Sequence, residues 1–191
     1  MGVPTGSYVE LATNEEYDPA TNTWVAKAPM PTTRARTAVV AVNNKIYAIG
    51  GTVSVYDASG IYLYDRQFAT NEEYDPVGNS WVAKAPMPTA RGLVKAAVVN
   101  GKIYAIGGGF GSTDSAINEE YDPLANSWVT KSPKPTTSGG AGIAVVNNKI
   151  YMMSGYFQVT DYVNFWVETN PNDNHEYDPS RDTPLYVHVK Q

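Results

Sequence analysis

The sequence predicts an all-β fold built of four-stranded antiparallel units. One short segment occurs four times along the chain, valine-rich runs lie at a fixed place between its copies, and asparagine pairs suited to tight hairpins follow those runs. The runs are only about five residues long and rich in β-branched side chains, which favours strands over helices.

The returning segment is Asn14-Glu15-Glu16-Tyr17-Asp18-Pro19. It recurs as Asn71 to Pro76 and Asn118 to Pro123, and as Asn174-His175-Glu176-Tyr177-Asp178-Pro179, at intervals of roughly 50 residues. In the first three copies a tryptophan stands seven residues after the tyrosine: Trp24, Trp81 and Trp128. A proline-rich link then leads to an apolar run that ends in glycine, over residues 38–51, 95–108 and 141–155.

Each unit reads as four strands. Strand A is Ala38-Val39-Val40-Ala41-Val42, or Ala96-Ala97-Val98-Val99, and its unbroken apolar character predicts burial on both faces. Asn43-Asn44, Asn100-Gly101 and Asn147-Asn148 tolerate the positive φ angles of a two-residue type I′ turn. Strand B follows at once over 45–49, 102–106 and 149–153. The pairs Gly50-Gly51 and Gly107-Gly108 close it where backbone angles or close approach exclude side chains. Strand C ends in Glu-Glu-Tyr, Asp-Pro begins a turn, and the tryptophan opens strand D. One such sheet cannot bury both faces alone, so Tyr17, Tyr47, Tyr74, Tyr104, Tyr121, Tyr151 and the repeat tryptophans are expected to fill the space between stacked units. The repeated glutamate pairs are expected at exposed strand or turn positions.

An apolar strand, a Gly-Gly pair, a spaced Tyr-Asp-Pro and a tryptophan seven residues on together resemble the kelch-repeat family, from about Asn14 to Pro179. The resemblance implies a β-propeller of four-stranded antiparallel kelch blades, with strand A innermost and strand D outermost. On this reading residues 1–30 form the C–D half of a blade, 31–88 and 89–135 are blades, and 136–191 is an atypical terminal blade. That last unit has Ser138 in place of Arg34 and Arg91, Ser154 for the first glycine and Pro184 for the tryptophan. The chain thus carries about three and a half blades, whereas closed propellers have four to eight. The ring is completed by further sequence or by another chain.

Composition narrows the function. The 191 residues carry 14 basic and 19 acidic side chains, a net charge of −5, which argues against a nucleic-acid phosphate tracker. With no cysteine there is no disulfide, thiolate nucleophile or cysteine zinc site. His175 and His188 are the only histidines. The first residues lack the features of a signal peptide, and no apolar run suits a membrane helix. Abundant Thr, Asn, Gly and Tyr with low charge would suit an extracellular or cell-surface protein.

The chain therefore reads as a non-enzymatic binding or assembly scaffold, with a protein or another copy of itself as partner. The variable links between strands B and C, over 52–70, 109–117 and 156–173, share a face with the D–A links and are where binding is expected. Candidate contact residues are Tyr56, Tyr62, Tyr64 and Arg66 in the first link, Phe110 in the second, and Tyr156, Phe157, Tyr162, Phe165 and Trp166 in the third. Large amphipathic rings beside an arginine favour protein or carbohydrate contact; the competing reading is that these runs extend strands and pack on neighbouring blades. Arg34, Arg36 and Arg91 stand just before strand A. The resemblance implies a role for arginines at such places in binding acidic peptides, while pairing with a glutamate or carbonyl within the fold is the structural alternative. Two further alternatives are a carbohydrate-binding or carbohydrate-modifying propeller and a self-assembling structural repeat. No cofactor, metal site or catalytic residue is expected. The oxygen-rich stretch 170–176 does not have the spacing of a calcium loop. Glu168, Asp173 and His175 follow no iron-site motif, and a copper site built on a cysteine-linked tyrosine is excluded.

Overall fold

The computed structural model describes residues 9–109, 115–137, 140–153 and 174–177. All regular elements among them are strands: β1 (Glu15–Asp18), β2 (Thr23–Ala26), β3 (Ala38–Val42), β4 (Lys45–Ile49), β5 (Thr52–Tyr56), β6 (Tyr62–Gln67), β7 (Asn71–Asp75), β8 (Ser80–Ala83), β9 (Lys95–Val99), β10 (Lys102–Ile106), β11 (Asn118–Asp122), β12 (Ser127–Lys131), β13 (Gly142–Val146), β14 (Lys149–Met153) and β15 (Asn174–Tyr177).

They assemble as two complete four-stranded antiparallel blades, ordered β3-β4-β7-β8 and β9-β10-β11-β12. The two-stranded β1-β2 sheet precedes them, and β13-β14-β15 follows. The fold is a partial kelch-type propeller. The asparagine turns form as their sequence requires, with φ of 53° and 59° at Asn43 and Asn44 and 50° and 59° at Asn147 and Asn148. Register is the same in both blades: Ile46 faces Tyr74 and Ile103 faces Tyr121, so each strand B lays its Lys-Ile-Tyr against the same partners.

The apolar core lies between blades. One cluster joins Ala38, Val42, Tyr47 and Ile49 of the first blade to Ile103, Ala105 and Tyr121 of the second, with Met87 and Val94 from the link between them. Another joins Ala97, Tyr104 and Ile106 to Ala141, Ile150 and Met152. The larger side chains, Val, Ile and Met, each stabilise the stack by about 1.5–3 kcal/mol when fully buried.

Burial of strand A on both faces holds only where two neighbours exist. β9 packs against β3 on one side and β13 on the other, and all its side chains are buried or half-buried. In β3, by contrast, Val39 is 62% exposed, and Val145 and Val146 of β13 are exposed as well. A blade face is apolar so that the next blade can cover it, and the strand follows its neighbours rather than its own composition.

Candidate functional site

The first B–C link is itself structured. β5 and β6 form a two-stranded antiparallel hairpin that stands on the first blade as a separate small sheet. Its tip is closed by Asp57, whose Oδ1 accepts from the backbone N–H of Ser59 and Ile61, each at 2.8 Å, an Asx-type turn.

The hairpin base is stitched to the D–A links of two blades. Ala35 and Thr52 exchange both backbone hydrogen bonds at 2.8 Å. From the second blade, the Arg91 N–H donates to Phe68 O at 3.0 Å, and the Gly92 N–H donates to Gln67 Oε1 at 3.1 Å. Gly92 has to be glycine here, because a Cβ would collide with the Thr52 side chain. These bonds bring the B–C and D–A links together on one face.

Alternation along the strands gives the hairpin two unlike faces. Ser54 and Asp65 are directly opposite, as are Thr52 and Gln67, and they turn toward the blade. The Asp65 carboxylate is 3% exposed and accepts from Ser54 Oγ at 2.7 Å and Arg36 Nη1 at 2.9 Å. Arg36 Nη1 also donates to Thr52 Oγ1 at 2.9 Å. From the N-terminal segment, Glu10 Oε1 accepts the Ser54 N–H at 2.7 Å. Burial works against the ionised form of Glu10, but its bonds with Ser54 and the charge of Arg36 outweigh it and hold the carboxyl below its ordinary range.

The opposite face carries Val53, Val55, Tyr64 and Arg66, since Val53 faces Arg66 and Val55 faces Tyr64. A register shift at Val55/Tyr56 sets Tyr56 against Tyr62, with ring centroids 6.0 Å apart and edge to face. Arg66 lies over the Phe68 ring at 4.9 Å, a cation–π contact. Tyr62 and Tyr64 are 48% and 53% exposed, and Ile61 and Leu63 beside them are exposed too. Partial burial, followed by the nearby Asp65 carboxylate, raises the Tyr62 phenol above its usual range, so it is a neutral donor at physiological pH.

The three arginines before strand A divide. Arg36 serves the hairpin as described. Arg34 and Arg91 are fully enclosed instead. Arg34 pairs with Glu72 at 2.5 Å and donates to Gly50 O and Ala48 O at 2.8 and 2.9 Å. Arg91 pairs with Glu119 at 2.6 Å and donates to the carbonyls of Ala105 and Gly107. Burial, opposed by the Glu119 charge, leaves the Arg91 pKa lowered. Both guanidinium groups are shut off from solvent, although Arg91 Nε is left without a partner.

Glu15 and Glu16 are exposed as the sequence suggests, but the glutamates of the two complete blades depart from that expectation. In the two complete blades Glu72, Glu119 and Glu120 are buried, because Glu72 and Glu119 close the arginine sites and Glu120 lies under Lys102 and Lys131. One signal in the sequence marks the buried pair. In the fourth unit the arginine is Ser138 and the first glutamate is His175, so both partners change together, which is what an ion pair requires.

Phe110, Tyr156, Phe157, Tyr162, Phe165 and Trp166 lie outside the described residues. Among the described residues, no group of three or more His, Asp or Glu is placed to hold a metal ion.

Stacked four-stranded sheets with this repeat define a propeller-type repeat protein. A family model described as "Kelch motif" matches residues 33–88 and 90–135, just over half of the sequence, and the chain belongs to that family. It is 37% identical over 100 residues to "Kelch repeat and BTB domain-containing protein 12" of Homo sapiens, covering 51% of this chain and 16% of that protein. It is 32% identical over 105 residues to "Kelch-like protein 25" of Xenopus tropicalis, covering 55% and 16%. The chain therefore matches about a sixth of the length of these curated relatives. The solved "Structure of YjhT" superposes with a TM-score of 0.63 at 18% identity, covering 82% of this chain and 61% of that one, a likeness of fold.

Proposed function

We propose that this chain is a non-enzymatic interaction module that binds a protein partner through the B–C and D–A link face, with the outer face of the β5–β6 hairpin as its main contact. The observation that carries this is the contrast between the hairpin's faces. The inner face is fixed by Arg36, Asp65, Ser54 and Gln67, while Tyr64 and Arg66 on the outer face and Tyr62 near the hairpin tip stand exposed to solvent. Exposed tyrosines with an arginine, held rigid, supply contact area at little cost in conformational entropy, as in binding hot spots. The kelch family and the Kelch-like relatives support a scaffold role.

The test is quantitative affinity capture with the wild type and a Tyr62→Ala/Tyr64→Ala variant. A partner retained by the wild type should bind at least tenfold more weakly to the variant. Equal retention of every partner would refute the hairpin as the contact. The same exposed rings also suit stacking against a sugar, and this second reading supports carbohydrate binding. Reproducible glycan-array signals abolished by Tyr62→Ala would favour it.

A further inference from the structure

Strand A of the second blade begins with a lysine where its neighbours have small residues. Lys95 holds the place of Ala38 in the first blade and Gly142 in the third, since each pairs with the last residue of its own strand B: Ile106, Ile49 and Met153. β9 packs against β3 on one side and β13 on the other, so Lys95 lies inside the array and not at its edge.

Alternation along the strand sets its direction. Lys95 shares a face with Ala97 and Val99, which pack on Ala141, Ile150 and Met152 of the third blade. At the preceding interface Ala38 packs with Val94; here the equivalent residues are Lys95 and Ala141, a longer side chain beside a smaller one. The lysine stem therefore has room along Ala141, while its ammonium reaches the link face where strand A begins. The third blade leaves space beside it, because a Cβ on Gly142 would meet only Met153 O, at 3.7 Å. The rim is tightly turned. Arg36 and Leu93, each two residues before strand A, hold left-handed φ of 56° and 54°, and the Leu93 N–H donates to Arg36 O at 3.0 Å; strain of this kind collects at binding sites.

The ammonium is unmatched. Lys27, Lys45, Lys84, Lys102 and Lys131 each pair with a carboxylate, whereas the half-buried Lys95 side chain has no hydrogen bond or ion pair among the described residues. The carboxylates of the complete blades are committed elsewhere. Buried arginines take Glu72 and Glu119, Arg36 takes Asp65, and lysines take Glu73, Asp75, Glu120 and Asp122. A half-enclosed charge with no counter-charge is unfavourable, and an anion that supplies one is held there. We propose that Lys95 anchors an oxyanion-binding site on the rim between the second and third blades, which takes the phosphate or carboxylate group of a small solute. The site is on the other flank of the second blade from the β5–β6 hairpin and stands whether or not that hairpin binds a partner.

The test is NMR titration of the isotopically labelled chain with inorganic phosphate and, separately, with acetate, at constant ionic strength. The Lys95 side-chain signal and the Ala141 and Gly142 amides should shift saturably with at least one of them, with a Kd on the order of 1–10 mM for a single half-buried cation, while Lys84 and Lys131 stay in place. The anion that binds more tightly names the group. Lys95→Met keeps the stem and removes the charge, and should weaken binding at the Ala141 and Gly142 amides by about tenfold or more. Lys95→Arg should restore it to within about threefold. Saturating anion should raise the urea midpoint of the wild type and leave that of Lys95→Met unchanged. No saturable shift up to about 50 mM of either anion, shifts that survive Lys95→Met, equal shifts at Lys84 and Lys131, or an equal rise in both midpoints would each overturn the site.

Discussion

In the complete blade β9-β12, Glu119 holds Arg91 out of water, Tyr121 is fully buried and Trp128 is tied to the preceding link. In the β1-β2 sheet the same sequence leaves Glu15, Tyr17 and Trp24 in solvent. The local turn is unchanged between the two, down to the tyrosine–asparagine bond. The repeat therefore encodes two separable things: a turn that forms by itself, and a set of side chains whose burial depends on the neighbouring blade. The first is local chemistry, and the second is the nearest-neighbour coupling of a repeat array.

The sharpest way to break that comparison is to remove the acid from each sheet. Glu119→Gln leaves Arg91 buried without its counter-charge and should cost roughly 3–5 kcal/mol. Glu15→Gln should change stability by less than about 0.5 kcal/mol. Urea denaturation of both variants checks this, and equal effects would show that the ion pair does not hold the blade. Next in size, Trp128→Phe removes the bond to Ala85 O and some packing, for about 1–3 kcal/mol, while Trp24→Phe should again fall below about 0.5 kcal/mol.

Alkaline pH acts on the complete blades too. Burial, then the neighbouring Glu73, raises Tyr47 well above the usual tyrosine range, and the same causes push Tyr121 up to about 12. Both phenols keep their protons longer in the folded state. Their contribution is full below the ordinary tyrosine pKa of about 10 and is lost as pH rises through the folded values. The urea midpoint should thus hold up to about pH 9 and fall progressively as pH rises from about 10 toward 12, and Tyr47→Phe should reduce that fall. The exposed hairpin tyrosines matter little to stability, and Tyr62→Ala and Tyr64→Ala should each stay within about 0.5 kcal/mol. Asp65→Ala should instead loosen the hairpin, seen as faster proteolysis at residues 57–61.

Much of the architecture was legible because it is local. Strand B over Lys45–Ile49, Lys102–Ile106 and Lys149–Met153 and the asparagine turns follow from residue type alone. What was not legible depends on partners distant in sequence. Arg34 sits 38 residues from Glu72, and only their joint replacement in the fourth unit betrays the pair. From sequence the 52–70 link reads as a variable link with an aromatic run. Its ordering rests on Asp65 and Gln67, polar residues that meet Arg36 and Gly92 only after the blades stack. The exposed Val39 shows the same limit, since an apolar run does not reveal whether a neighbour is there to cover it.

Hydrogen exchange at the three repeat indoles tests the account most directly. If neighbouring links fix the tryptophans, the Trp81 and Trp128 indole N–H groups are protected and lose protection together with the blade core, while Trp24 exchanges near the rate of a free indole. Protection of Trp24 equal to that of Trp81 and Trp128 would contradict the dependence of burial on the neighbouring blade.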